Sequence, residues 1–246
     1  MSLLAIIGGS GLTSLNGLEI TRQQMQQTPY GQPSGPLTFG TLSDKEIVFL
    51  PRHGNPHVIS PHKINYRANI YALKENNVTN IIGVNAVGGI TQAMAPGKLV
   101  IPDQIIDYTW GRSHTYYEDD IDHVTHIDFT YPYCEKLRKI IIGANETKGL
   151  DLVHSATYGA IQGPRLETAA EINRMEKDGC DIVGMTGMPE VALARELELN
   201  YASISVIANW AAGKSKEKIT MTMIENNLKN GMSQVCKLLE EVIPNL

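Results

Sequence analysis

The chain is poor in cysteine, in aromatic residues and in positive charge, and each shortage narrows what it can be. Its three cysteines, Cys134, Cys180 and Cys236, are widely spaced and odd in number. That excludes a disulfide framework and any zinc or redox spacing, so reduced thiols in a cytoplasmic protein are expected. Lys and Arg total 21 against 26 Asp and Glu, a net charge of −5. Nothing therefore points to a nucleic-acid groove or to an anionic membrane surface. No run approaches the roughly 18 apolar residues of a membrane span. The opening MSLLAIIGG has no basic segment and only a short apolar run, so it reads as a first strand and not as a leader. Repeats, low-complexity tracts and linkers are missing too. What is present is 42% hydrophobic residues, enough for a core, at a length where one α/β domain over residues 1–246 is expected.

Residues 181–211, DIVGMTGMPEVALARELELNYASISVIANWA, organise the rest. A short apolar run stops at Met185-Thr186-Gly187, and Pro189 suits the first turn of a helix. Val191, Leu193, Ala194 and Leu197 follow at helical spacing. Residues 201–208 then read as a buried strand ending on Asn209. Such a unit sets polar groups at the carboxyl ends of strands, where open α/β sheets build their sites. Thr186 offers a hydroxyl and nearby backbone N–H groups to an anion. Asn209 offers an amide that donates and accepts.

Other strand ends carry similar chemistry. Residues 3–7 run into Gly8-Gly9-Ser10-Gly11. A dinucleotide fingerprint would need a third glycine or alanine where Ser14 stands, an immediate helix and an acidic residue about 20 positions on. A loop whose N–H groups and Ser10 hydroxyl wrap a phosphate fits better. Residues 46–50 lead to Pro51-Arg52-His53-Gly54, where a guanidinium fork and an imidazole donor suit a dianion. His53, His57 and His62 have metal-like spacing, but Pro56 and Pro61 forbid a helix presenting them together, so no metal site is expected. A strand over 78–84 ends in Asn85-Ala86-Val87-Gly88-Gly89, small enough for a flat ligand or a phosphate to approach the backbone. Further strands are expected over 98–106 and 152–161, and helices over 64–75, 132–147, 168–177 and 219–243. A long polar loop spans 109–128. Glu167 stands where the 168–177 helix begins, a place that also suits the helix dipole.

Taken together and in order, GGSG, PRHG, NAVGG, GPRLE, MTGMPE and IAN resemble the purine nucleoside phosphorylase superfamily, and within it the methylthioadenosine phosphorylase branch, over nearly the whole chain. The resemblance implies a mixed, strongly curved sheet (a distorted barrel) flanked by helices, and a homotrimer with sites near subunit borders. It implies inorganic phosphate as co-substrate, no metal and no organic cofactor. The implied phosphate site is Ser10, Arg52, His53, the Ala86 backbone N–H and Thr186. Met185 would lie against the ribose, Leu166 and Ala211 would also bind the substrate, and His126 would reach the neighbouring subunit's 5′ pocket.

Departures from the branch carry the expected specificity. The paired aspartates that accept from an adenine amino group are replaced by Asn209-Trp210-Ala211, and an asparagine amide can donate to a 6-oxo group while accepting from N7–H. Glu167 resembles the glutamate that accepts the N1–H of a 6-oxopurine. Facing adenine, it would be unpaired at a cost of about 1–3 kcal/mol. At the 5′ end the expected histidine is replaced by Ile219-Thr220-Met221-Thr222-Met223-Ile224. Met221 and Ile224 suit a thioether, whose burial is favourable by about 0.8 kcal/mol per CH₂-sized group. The expected reaction is phosphorolysis of a 5′-methylthio-6-oxopurine nucleoside, with Asn209, Glu167 and His53 as its catalytic groups. The alternatives are inosine/guanosine phosphorolysis, methylthioadenosine phosphorolysis, and a purine- or phosphate-binding protein without catalysis.

Overall fold

A computed structural model describes residues 3–118, 122–216 and 219–246. Its central strands are apolar on both faces because helices cover both, the pattern of a buried, mainly parallel sheet. β1 (Leu3–Gly8) lies between β4 (Lys45–Pro51) and β5 (Val78–Gly89), parallel to both. Along β1, Ala5 and Ile7 join one core cluster, with Ile70 and Leu73 of α1 (Tyr66–Glu75) and Val191 and Ala194 of α4 (Gly187–Glu196). Leu4 and Ile6 point the other way. They meet Leu137 and Ile141 of α2 (Glu135–Lys148) and Met232, Val235 and Leu239 of α5 (Met221–Val242). The inward stripe read over 219–243 is buried in α5 as expected, with Leu228, Leu238 and Val242 in the same cluster.

Among the described residues the sheet has eleven strands, with β2 (Glu19–Gln24), β3 (Leu37–Leu42) and β4 forming an antiparallel flank. β5 is the axis of the site. Its first half is sandwiched between β1 and β11 (Asn200–Trp210), parallel to both. Beyond Gly83 it outruns β1, and Gly88 and Gly89 pair instead with β10 (Ile182–Gly184), antiparallel. β11 follows it to the end, with a register shift between Ile207 and Asn209. Such a bulge re-aims the side chain beside it. β10 continues the sheet through β9 (Thr157–Ala160) to β7 (Gln104–Asp107), and β11 through β6 (Leu99–Val100) to β8 (Leu152–Val153).

Three expectations are corrected. NAVGG is the second half of a twelve-residue strand and not a loop; its small residues lower strand propensity, but β10 and β11 supply the pairing that holds it. The single strand read over 98–106 is two, β6 and β7. Pro102 has no N–H to continue a ladder, and the pieces join different edges of the sheet. Helix α2 also starts at Glu135, later than the 132 read from the pattern.

Because β1 and β4 stop where β5 continues, the segments following β1, β4 and β10 converge with the ends of β5 and β11. That is the carboxyl-end crevice expected of an α/β sheet. Among the described residues, no helix is long and apolar enough to cross a membrane. Cys134, Cys180 and Cys236 are all free thiols.

Candidate active site

A cavity of about 320 Å³ opens at this convergence. It gathers Ser10, Arg52, His53, Ala86, Leu166, Glu167, Met185, Thr186, Asn209, Met221 and Ile224 from seven separate stretches of the chain. Two candidates lie elsewhere. Ala211 is buried behind the site against Ile172 and Val183, its N–H donating to the Gly89 carbonyl at 2.8 Å. His126 is exposed and does not line the cavity of its own chain. A second cavity of about 420 Å³ adjoins this one across Glu167. Its arginines are already engaged, Arg165 with Glu171 and Arg174 with Asp178.

Behind the lining, Arg52 and Thr186 are held by polar groups that the motifs do not reveal. Arg52 is fully buried, and its Nε and Nη2 donate to the two Glu190 carboxylate oxygens at 2.6 and 2.7 Å. Its Nη1 donates to the Val84 carbonyl at 2.7 Å, and the Tyr201 hydroxyl donates to Glu190 Oε1 at 2.6 Å. A β-carbon on Gly83 would stand 2.0 Å from that hydroxyl, so this close approach requires glycine. Burial alone would lower the Arg52 pKa, but the Glu190 carboxylate outweighs it and holds the guanidinium above its usual range. The fork expected to grip a dianion is therefore taken by Glu190. Three of the guanidinium's N–H groups are committed, and Arg52 can offer the cavity only what remains of its five.

Thr186 is prepared differently. The Asn85 amide donates to its Oγ1 at 2.8 Å, and Asn85 Oδ1 accepts from Ser203 Oγ at 2.8 Å, with Ser205 Oγ 3.3 Å beyond. An amide N–H can only donate, so Thr186 Oγ1 accepts here and keeps its own proton to donate, with the Tyr158 hydroxyl as its neighbour. Arg112, in the long loop, ties two rims of the site together. Its Nη1 donates to the Met185 and Met188 carbonyls at 2.9 and 2.6 Å, and its Nη2 to Gln162 at 2.8 Å.

At the other end, Glu167 has no hydrogen-bonded side-chain partner among the described residues, and burial raises its carboxyl above the ordinary range. Asn209 Nδ2 donates to the Trp210 carbonyl at 2.7 Å, leaving Oδ1 available. On the rim, Met221 is 66% exposed beside Ile224 and Pro61. The cavity thus has hydroxyl donors for an anion, a polar edge for a planar heterocycle, and an apolar corner. No metal-binding cluster of His, Cys, Asp or Glu occurs among the described residues.

One residue could have been found from sequence. Glu190 sits in the helix PEVALA, whose neighbours are apolar on every side, and a carboxylate so placed must have a buried partner. Asn85 and Arg112 carried no comparable signal, since their partners lie on strands and loops distant in sequence.

Comparison with known proteins shows the family. The phosphorylase superfamily matches residues 3–244. A probable S-methyl-5′-thioinosine phosphorylase of Pseudomonas syringae pv. tomato is 53% identical, with 99% of each chain covered. A 6-oxopurine nucleoside phosphorylase of Pyrococcus furiosus is 44% identical over 99% of this chain and 93% of its own. Among solved structures, methylthioadenosine phosphorylase from Schistosoma mansoni in complex with adenine superposes with a TM-score of 0.96 at 34% identity, covering 100% of this chain and 92% of its own. The motif order, the convergent strand ends and these full-length matches agree: the chain belongs to the phosphorylase superfamily.

Proposed function

We propose that the protein catalyses phosphorolysis of S-methyl-5′-thioinosine, giving hypoxanthine and 5-methylthioribose 1-phosphate. The observation that carries this reading is one cavity holding Glu167 and Asn209 together with Met221 and Ile224. The first pair suits a 6-oxopurine edge, and the second suits a thioether better than a 5′-hydroxyl. The names borne by the relatives from Pseudomonas and Pyrococcus agree with a 6-oxopurine base.

In this reading phosphate lies among Ser10, His53, Thr186, the Ala86 backbone N–H and the uncommitted N–H groups of Arg52. Met185 and Leu166 flank the nucleoside. As the C1′–N9 bond lengthens, its electron pair moves onto the purine and positive charge develops on the sugar. Asn209 and Glu167 form hydrogen bonds that strengthen with the charge on the leaving base, the form of stabilisation that lowers a barrier most. A phosphate oxygen then bonds C1′. The proton that hydrogenphosphate brings in ends on the purine, so atoms and charge balance with phosphate as co-substrate and with no metal or organic cofactor. The decisive assay follows phosphate consumption and hypoxanthine release on methylthioinosine. Equal molar amounts are expected, with no release when phosphate is omitted; phosphate-independent release would contradict phosphorolysis.

Exposed Trp110, Val124, Ile127 and Tyr131 lie on or next to the segment that carries exposed His126. They support a homotrimer in which His126 completes a neighbouring 5′ pocket and covers Met221. Inosine phosphorolysis is the second reading, favoured by the exposure of Met221, which leaves the apolar corner incomplete in a single chain. Met221→His is expected to raise kcat/KM for inosine about tenfold, the gain from one hydrogen bond of roughly 1.4 kcal/mol. Unchanged inosine kinetics in that variant would remove Met221 from the 5′ pocket.

A further inference from the structure

His53 is held as a hydrogen-bond acceptor facing the anion end of the cavity, the reverse of the donor role its sequence context suggests. Its Nδ1 lies 2.7 Å from the Ile59 carbonyl oxygen. A carbonyl only accepts, so Nδ1 carries the proton, and the neutral ring bears its lone pair on Nε2. Among the described residues Nε2 has no hydrogen-bond partner, while His53 is 6% exposed and lines the cavity. The ring of His57 stacks on it at 4.2 Å and 14°, fixing its plane.

The balance of its surroundings keeps the ring neutral. Burial, followed by the adjacent Arg52 charge, lowers its pKa to about 4; His57 acts in the same direction and the Ile59 hydrogen bond opposes. The Arg52 charge is itself matched by Glu190. Among the described residues, the anion end therefore presents hydroxyls, N–H donors and one fixed imidazole acceptor.

A lone pair aimed at an anion repels it unless the anion carries a hydrogen to share. We propose that His53 Nε2 accepts the P–OH hydrogen of hydrogenphosphate, so that the site selects proton-bearing tetrahedral dianions over protonless ones such as sulfate. This rests on phosphate occupying the anion end, as in the function proposed above. Hydrogenarsenate belongs to the accepted class. Sulfate and monofluorophosphate have the charge and shape of hydrogenphosphate without its hydrogen, and belong to the rejected one.

The test is competition against phosphate in the wild-type enzyme, at mildly alkaline pH and constant ionic strength, where all four anions are dianions. Sulfate and monofluorophosphate are expected to bind roughly 10- to 100-fold more weakly than phosphate, the effect of leaving one buried acceptor unpaired. Hydrogenarsenate should fall within about threefold of phosphate on the same scale. In His53→Gln the side-chain amide can turn its N–H toward the anion, and the gap should close to about threefold. Sulfate binding as tightly as phosphate in the wild type would overturn the proposal even if the variant does not fold, and so would a full gap persisting in His53→Gln. If turnover shows no saturable dependence on phosphate, phosphorolysis itself falls and the proposal with it. Intact phosphate dependence with tight sulfate competition would remove only the role given to His53.

Discussion

Glu190→Ala is expected to destabilise the protein by about 3–5 kcal/mol, the cost of leaving one member of a buried ion pair without its partner. An exposed pair would contribute about 0–1 kcal/mol, and what decides between these figures is burial. Both side chains are 0% exposed, and three hydrogen bonds converge on the carboxylate. For a domain of this length each kcal/mol moves the midpoint by about 2–4 °C, so thermal unfolding should show a fall of roughly 6–20 °C. A companion variant separates stability from function. Arg52→Met, Glu190→Leu and Tyr201→Phe together replace the network with apolar groups of similar size, an exchange that is often neutral or stabilising. It should recover most of the lost stability, whereas phosphate-dependent activity should be lost with Arg52. A Glu190→Ala midpoint within about 2 °C of wild type would show that the pair is solvated and carries little stability.

Glu167→Ala is expected to lower kcat/KM for methylthioinosine by about 10²–10³, the loss typical of removing one group that stabilises charge in the transition state. The pH profile gives a second signature. Glu167 must be ionised to accept N1–H, and burial raises its carboxyl pKa. Raising a carboxyl pKa means the proton is held to higher pH, so the acid limb of kcat/KM should lie above the ordinary carboxylate range. Glu167→Gln should abolish that limb. Asn209→Asp acts on the other side of the base: it replaces the donor to a 6-oxo group by an acceptor for a 6-amino group. It should shift activity toward methylthioadenosine while slowing hypoxanthine release. An unchanged substrate ratio in Asn209→Asp would take Asn209 out of the base site.

The contrast between Glu167 and Glu190 shows what the sequence discloses and what it hides. Glu167 is legible because a family-like motif surrounds it. Glu190 stands in an equally quoted motif, but its partner Arg52 is 138 residues away and nothing local joins them. The positions of Ser10, Thr186 and Asn209 follow from strand ends, which punctuation by Gly, Pro and β-branched runs marks well. The length of β5 was not legible in this way, because Ala86, Gly88 and Gly89 read as loop until β10 and β11 are seen to pair with them. His53 lies between these cases. Its presence in the site is legible, but whether it donates or accepts depends on the Ile59 carbonyl, which only the fold brings to Nδ1.

The central claim is that one cavity joins a 6-oxopurine edge to an apolar 5′ corner. Initial rates with phosphate on methylthioinosine, inosine and methylthioadenosine, measured side by side, test it most directly. Methylthioinosine is expected to exceed each of the others by at least about tenfold in kcat/KM, the equivalent of one mismatched polar contact at either end. A preference for inosine would keep Glu167 and Asn209 but contradict the placement of Met221 and Ile224, whereas a preference for methylthioadenosine would contradict the reading of the base edge.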